Sequence, residues 1–305
     1  MSQIHEALKK AAKERVAKQD VTLETRLGDI TAEIARRPGT PEVSDLPLTA
    51  RGPATGTTAV NALTRYEDLI KNCAHPEWQL DPLSSFFQGG KPGLNGTERF
   101  RTLRSRLYQT ASTRILRRLL VTSSIPEEGK TFVASNLAQS IVQQPERRVL
   151  LIDADLRAPR LHLAFGAANR PGLTEYLRGE AEECEVIQKG MKENLCLIPA
   201  GSQVSKPSEL LLSDRMRLLL NLLSPIFDWI IIDSPPALPV HDAIDLAGLT
   251  DGVLFVLRAG STPVTVAEKA AAEFRSKNLL GIVFNQVKKS DSYGNYEYNY
   301  SSEAT

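Results

Sequence analysis

The chain has 305 residues, of which 42% are apolar and 24% charged, with a formal net charge of +1. That length supports one large domain or two small ones with a sizeable core. Near-neutral charge gives no field to draw in nucleic acid, no apolar run approaches a membrane span, and MSQIHEALKK lacks the apolar stretch of a signal peptide. Cys73, Cys184 and Cys196 have no metal-ligand or redox spacing and read as reduced thiols that pack as small hydrophobes.

In chain order, residues 1–37 read as a charged amphipathic helix, with Ile4, Leu8 and Ala11 forming a thin apolar stripe. Such a helix is either a solvated element or one that docks on a partner. Residues 38–92 read as a largely flexible linker, rich in Pro, Gly, Thr and Ala up to Gly56. Trp78, Phe86 and Phe87 are placed to lay a strap across the main domain. A helix is expected to begin near Thr97-Glu98, with Thr97 as its cap and Phe100, Leu103 and Leu107 facing inward. Glu98, Arg101 and Arg104 recur at steps of three on another face, as a solvated row or a subunit interface.

From Leu119 onward, short continuous apolar runs alternate with amphipathic stretches. Strands are expected at Leu119–Val121, Val149–Ile152, Leu195–Ile198, Trp229–Ile232, Val253–Leu257 and Gly281–Val283. Helices are expected at Lys130–Gln144, Ser208–Leu223, Asp242–Leu249 and Pro263–Ser276. This order predicts an α/β fold, a mostly parallel sheet with helices on both faces, over residues 93–289. Residues 290–305 form a tyrosine-rich tail without the periodicity to pack.

Three elements carry chemistry. The first is the loop Ser124-Ile-Pro-Glu-Glu-Gly129-Lys130-Thr131, between an apolar strand and a helix. Ser124 stands where a strict phosphate-binding loop has its first glycine. The loop backbone and helix N-terminus still face a phosphate, Lys130 adds a point charge, and the Thr131 hydroxyl can ligate magnesium. The second is Asp153-Ala-Asp155 at the end of a strand, where alternation predicts both carboxylates on one side. One can bind magnesium while the other takes a proton from a hydroxyl nucleophile, and Arg157 can hold a phosphate or another subunit. The third is Ile230-Ile-Ile-Asp233-Ser-Pro-Pro236, a strand that delivers a further magnesium-side carboxylate. Each aspartate alone reads equally well as a turn residue, but the three elements in this order point to a nucleoside triphosphate.

These residues resemble the bacterial tyrosine kinases that control capsule and exopolysaccharide synthesis, relatives of division-site and plasmid-partition ATPases. The resemblance rests on Ser124–Thr131, Leu150–Arg157 and Ile230–Pro236, joined by Gly172-Leu173-Thr174, Pro199-Ala200-Gly201 and Pro207–Leu211. It implies a P-loop NTPase-like three-layer fold and an ATP- and Mg2+-dependent protein-tyrosine kinase that phosphorylates itself in trans. Lys130, Asp153, Asp155 and Asp233 would be catalytic, with Asp153 the base, and Thr131, Asp155 and Asp233 would serve the magnesium. Ser124, Pro126, Glu128, Gly129, Phe132, Arg157 and Asn285 would join Lys130 and Thr131 around the nucleotide. Tyr293, Tyr296, Tyr298 and Tyr300 would be phosphoacceptors, and Glu98, Arg101 and Arg104 a ring-assembly motif. The implied partners are further copies of the chain, a membrane-embedded polysaccharide co-polymerase or adaptor, and a protein tyrosine phosphatase. The implied location is cytoplasmic, at the inner face of the plasma membrane. Glu127 departs from the family, which usually has glycine there. Ile125 departs from the partition ATPases, which carry a signature lysine at that point; such a switch, or a catalytically silent regulator of a polymerase, is the alternative reading.

Overall fold

The computed structural model describes residues 66–87, 94–190 and 192–287. The expected helix over 1–37, the Pro/Gly-rich stretch 38–56 and the tail over 290–305 lie outside them. Seven strands form one sheet: β1 (Arg118–Ser123), β2 (Val149–Asp153), β3 (Gln188–Lys189), β4 (Leu195–Ile198), β5 (Trp229–Asp233), β6 (Gly252–Arg258) and β7 (Leu279–Asn285). Their order is β3-β4-β2-β5-β1-β6-β7, parallel throughout except for β3 against β4.

Strict alternation along the central strands splits the core in two. Leu120, Leu150, Ile152, Ile230 and Ile232 enter one cluster, with Leu173, Leu219, Leu246 and Phe274 from covering helices. Leu119, Val121, Val149, Leu151 and Ile231 enter the other, with Phe100, Leu107, Val133 and Leu137. Both faces are covered, so the central strands read as runs of apolar sequence. At about 1.5–3 kcal/mol per fully buried aliphatic side chain, these two layers dominate the stability of the domain.

Six of the seven strands fall on the expected runs. Strand β3 was not expected; its two residues carry no apolar signal, and its pairing with β4 is tertiary. The helix expected to start at Thr97 spans Leu94–Thr113, one turn longer at its N-terminus. Thr97 is therefore buried inside the helix rather than capping it, and Gly96 admits the Phe86 ring where a Cβ would lie 2.7 Å from it. The single helix expected over Ser208–Leu223 is two, Pro207–Leu211 and Asp214–Leu223. Ser213 between them is extended (φ −64°, ψ 157°), which ends the first helix and lets the second begin at Asp214.

Residues 66–87 are packed rather than flexible. Tyr66, Ile70 and Cys73 join the first cluster, and Trp78 joins the second. Between them Ala74 bridges Gln188, with Lys189 N–H donating to Ala74 O (2.9 Å). The segment therefore crosses the β3 edge from one face to the other and shields it. It then runs to the phosphate-loop helix, where Phe86 N–H donates to Asn136 Oδ1 (2.8 Å).

Candidate nucleotide site

The C-terminal ends of β1, β2 and β5 lie side by side, so their terminal residues converge, as expected in an open parallel sheet. β1 delivers the loop 124–129, which feeds the helix Lys130–Ile141. Gly129 sits at φ +90°, and a Cβ there would lie 2.0 Å from Asn285 Nδ2, so both conformation and space require glycine. Glu127 adopts φ +67°, a region that costs a non-glycine L-residue roughly 1–2 kcal/mol. A glycine would hold that turn without strain.

Lys130 Nζ lies 2.8 Å from Asp155 Oδ2 and 3.9 Å from Asp233 Oδ1. Thr131 Oγ1 donates to Asp233 Oδ2 at 2.6 Å. Asp153 and Asp233 are fully buried and Asp155 nearly so. Burial, then the charge of Asp233, pushes the Asp153 pKa up, while backbone N–H bonds oppose the shift. Burial also raises Asp233, against the pull of Lys130 and Thr131. Burial works against the Lys130 charge, but Asp233 and Asp155 outweigh it and hold its pKa above the ordinary value. Asp155 and Asp233 thus share one ammonium, with the buried Asp153 beside them, an imbalance that a divalent cation would relieve.

Asp233 Oδ1 is buried without a hydrogen-bond partner. That orphaned oxygen, beside the Thr131 hydroxyl, fits magnesium. Among the described residues no group of three His, Cys, Asp or Glu side chains forms a metal cage. Magnesium needs none, since it is usually held by one or two carboxylates together with substrate phosphates and water.

Several expected residues have other roles here. Asp155 lies past the end of β2, so its approach to Lys130 comes from the turn and not from strand alternation. Asp153 accepts backbone N–H bonds from Asp155 (3.2 Å), Arg160 (3.1 Å) and Leu161 (3.0 Å), which fixes its orientation. Arg157, expected at the nucleotide, is held instead by Asp242 (Nε–Oδ2, 2.8 Å) and Ser208 (3.0 Å). The Phe132 ring packs against Phe86 and Phe100. Glu128 is buried, with its carboxylate turned into the protein. Ser124 is buried, with its hydroxyl unpartnered, and Pro126 is exposed. Asn285, at the end of β7, reaches the loop through Nδ2 to Glu128 O (3.0 Å). Glu98 and Arg101 pair with each other on the surface, while Arg104 donates to Ser140 O within the chain. The four tail tyrosines lie outside the described residues.

A family model described as an AAA domain matches residues 128–262. Tyrosine-protein kinase YwqD of Bacillus subtilis is 35% identical over 211 residues, covering 68% of this chain and 88% of that protein. The chain belongs to the bacterial tyrosine-protein kinase family. Tyrosine-protein kinase etk of Escherichia coli K12 is 36% identical over 206 residues, which are 67% of this chain but only 28% of that longer protein. The solved kinase domain of Escherichia coli ETK superposes with a TM-score of 0.59 at 35% identity, covering 65% of this chain and 80% of that one. The kinase therefore shares the catalytic portion of its long relatives. No helix among its described residues is long and apolar enough to cross a membrane.

One contact at the loop carried no sequence signal. Thr262, in the turn after β6, donates its hydroxyl to Glu128 Oε1 across 134 positions of chain. In the sequence it reads as part of a Gly-Ser-Thr-Pro turn.

Proposed function

We propose that this kinase transfers the γ-phosphoryl group of ATP to tyrosines in its own tail, in trans. The observation that carries the reading is the buried group Lys130, Thr131, Asp155 and Asp233, with the unpartnered Asp233 oxygen beside the phosphate loop. Loop backbone N–H groups and Lys130 would hold the β- and γ-phosphates, Lys130 leaving Asp155 to do so. Thr131, Asp155 and Asp233 would hold magnesium, directly or through water. Bound there, magnesium supplies positive charge against the charge developing on the transferred phosphoryl group.

The tyrosine oxygen bonds to the γ-phosphorus as the bond to the bridging oxygen breaks and ADP leaves. The phenol proton passes to Asp153, whose fixed orientation and raised pKa suit a base. Positioning and charge neutralisation do most of the work.

The tail supplies Tyr293, Tyr296, Tyr298 and Tyr300 among three acidic residues and no lysine or arginine. Phosphorylation adds about two charges per tyrosine, which would repel the tail from an acidic site and drive release from a ring. Glu98 and Arg101 are exposed and available to such a ring. By family resemblance the output is control of exopolysaccharide or capsule synthesis, at the inner membrane face, through a membrane-embedded co-polymerase and opposed by a phosphatase.

The test is to incubate purified protein with Mg-ATP and blot for phosphotyrosine, beside Lys130→Met and a chain ending at Asp291. The expected result is signal in the wild type alone. Phosphate release without phosphotyrosine would instead favour a nucleotide-driven switch. Signal that survives loss of the tail would refute the acceptor assignment. Asp153→Asn should abolish the acid limb of the pH–rate profile, where protonation of the base shuts the reaction down, whereas Asp155→Asn should chiefly weaken metal dependence.

A further inference from the structure

The Glu128 carboxylate stands one residue before Gly129-Lys130, yet it is 1% exposed and bonded into the protein. Two groups hold it there. Ile125 N–H donates to Oε2 at 2.9 Å, and the Thr262 hydroxyl donates to Oε1. The first donor belongs to the loop itself, whereas the second comes from the turn between β6 and the helix Val264–Ala272. The same loop residue is gripped from a third direction, because Asn285 at the end of β7 donates to its carbonyl. The turn and the strand end are themselves joined, Ala259 N–H donating to Asn285 O (2.9 Å).

We propose that Thr262 is a positioning residue for the nucleotide, acting by keeping the Glu128 carboxylate turned inward. The argument rests on the nucleotide-binding reading of this loop, and on charge and reach. A carboxylate at the crown of a phosphate loop repels a triphosphate if it swings outward, and the repulsion is strong where the dielectric is low. A buried carboxylate that loses a donor is driven to find another, and Lys130, two residues on in the chain, carries the charge the phosphates need. Glu127 and Gly129 on either side have positive φ, so the backbone of this turn is tight and leaves side-chain donors to decide where the carboxylate points. Thr262 is itself about nine-tenths buried, and its backbone N–H is held by Arg258 O (3.1 Å), which fixes its hydroxyl in place.

Thr262 touches neither substrate nor the reacting atoms. Its loss should therefore appear in the KM for ATP more than in kcat.

The experiment measures binding of a fluorescent ATP analogue with magnesium, and the KM and kcat of tyrosine phosphorylation, for Thr262→Val and Thr262→Ser. A hydrogen bond to a charged group sets the scale, so Thr262→Val should weaken nucleotide binding about tenfold, with kcat within roughly threefold of wild type. Thr262→Ser, which keeps the hydroxyl, should restore affinity. Where valine lowers the melting temperature, Thr262→Ala, which adds no bulk, takes its place in the comparison with serine. Wild-type affinity in the hydroxyl-less variant, or equal loss in the serine variant, would overturn the proposal. Failure of the kinase reading is distinguishable: phosphotyrosine would then be absent from the wild type, while the binding comparison would still read out.

Discussion

The two ends of the central strands contrast in how their charges are handled. At the N-terminal ends Asp251 and Asp228 have matched donors. Asp251 Oδ2 accepts the backbone N–H groups of Arg117 and Arg118 (2.8 and 2.7 Å), and Asp228 accepts that of Arg148 (2.8 Å). The Arg118 guanidinium reaches Ser224 Oγ (2.7 Å), Asn221 Oδ1 (2.8 Å) and Leu220 O (3.1 Å). A cavity of about 660 Å³ opens there, lined by Tyr108, Arg114, Arg147 and Trp229, among others, with none of the three sequence elements in it. At the C-terminal ends two buried carboxylates share Lys130, Asp153 is buried beside them, and one Asp233 oxygen has no hydrogen-bond partner. One end spends its polar groups on holding the fold. The other is left electrostatically incomplete, and only a ligand completes it.

That contrast can be broken residue by residue. The largest effect is expected at Asp233: Asp233→Asn should lower tyrosine phosphorylation by at least about a hundredfold, in the range seen on removing one charge-stabilising group. The ligand-free melting temperature should be no lower than wild type, because a buried charge is removed from an overloaded cluster. A substantial drop in melting temperature would show that the C-terminal end is as structural as the other. Asp251→Ala tests the opposite end. Two backbone N–H groups lose their acceptor, and stability should fall by about 1–3 kcal/mol in a denaturant titration, with activity per folded molecule unchanged.

A smaller effect is expected from Glu127→Gly. Relief of the positive φ should stabilise the protein by about 1 kcal/mol, and ATP should bind more tightly without that carboxylate beside the loop. The smallest is a pH dependence. Asp233 has a raised pKa in the folded protein, so the folded state binds more protons than the unfolded one. Ligand-free stability should therefore fall as pH rises from the usual carboxylate range to that raised value, and Asp233→Asn should flatten the slope. Melting curves without magnesium, taken across that interval, measure both.

The fold was legible where the signal is local. Apolar runs such as Trp229–Ile232 declare a strand buried on both faces, because nothing polar is tolerated on either side. The site was legible where it lies within one short stretch, as in Gly129-Lys130-Thr131, or at a strand end, as in Asp233. The two-residue β3 and the break at Ser213 were not, and of residues 66–87 only the strap of Trp78, Phe86 and Phe87 was, since the packing of Tyr66, Ile70 and Cys73 depends on neighbours distant in sequence.

The sequence by itself determined the alternation of strands and helices, the phosphate loop and the carboxylates that face it, because periodicity and strand-end chemistry are encoded within a few residues. Only the tertiary structure decided which carboxylates touch Lys130, that the Arg157 side chain pairs with Asp242, and that the Thr262 hydroxyl bonds the Glu128 carboxylate. Those contacts join chain segments up to 134 residues apart, and side-chain direction in a packed interior is set by the neighbours present and not by the residue's own type.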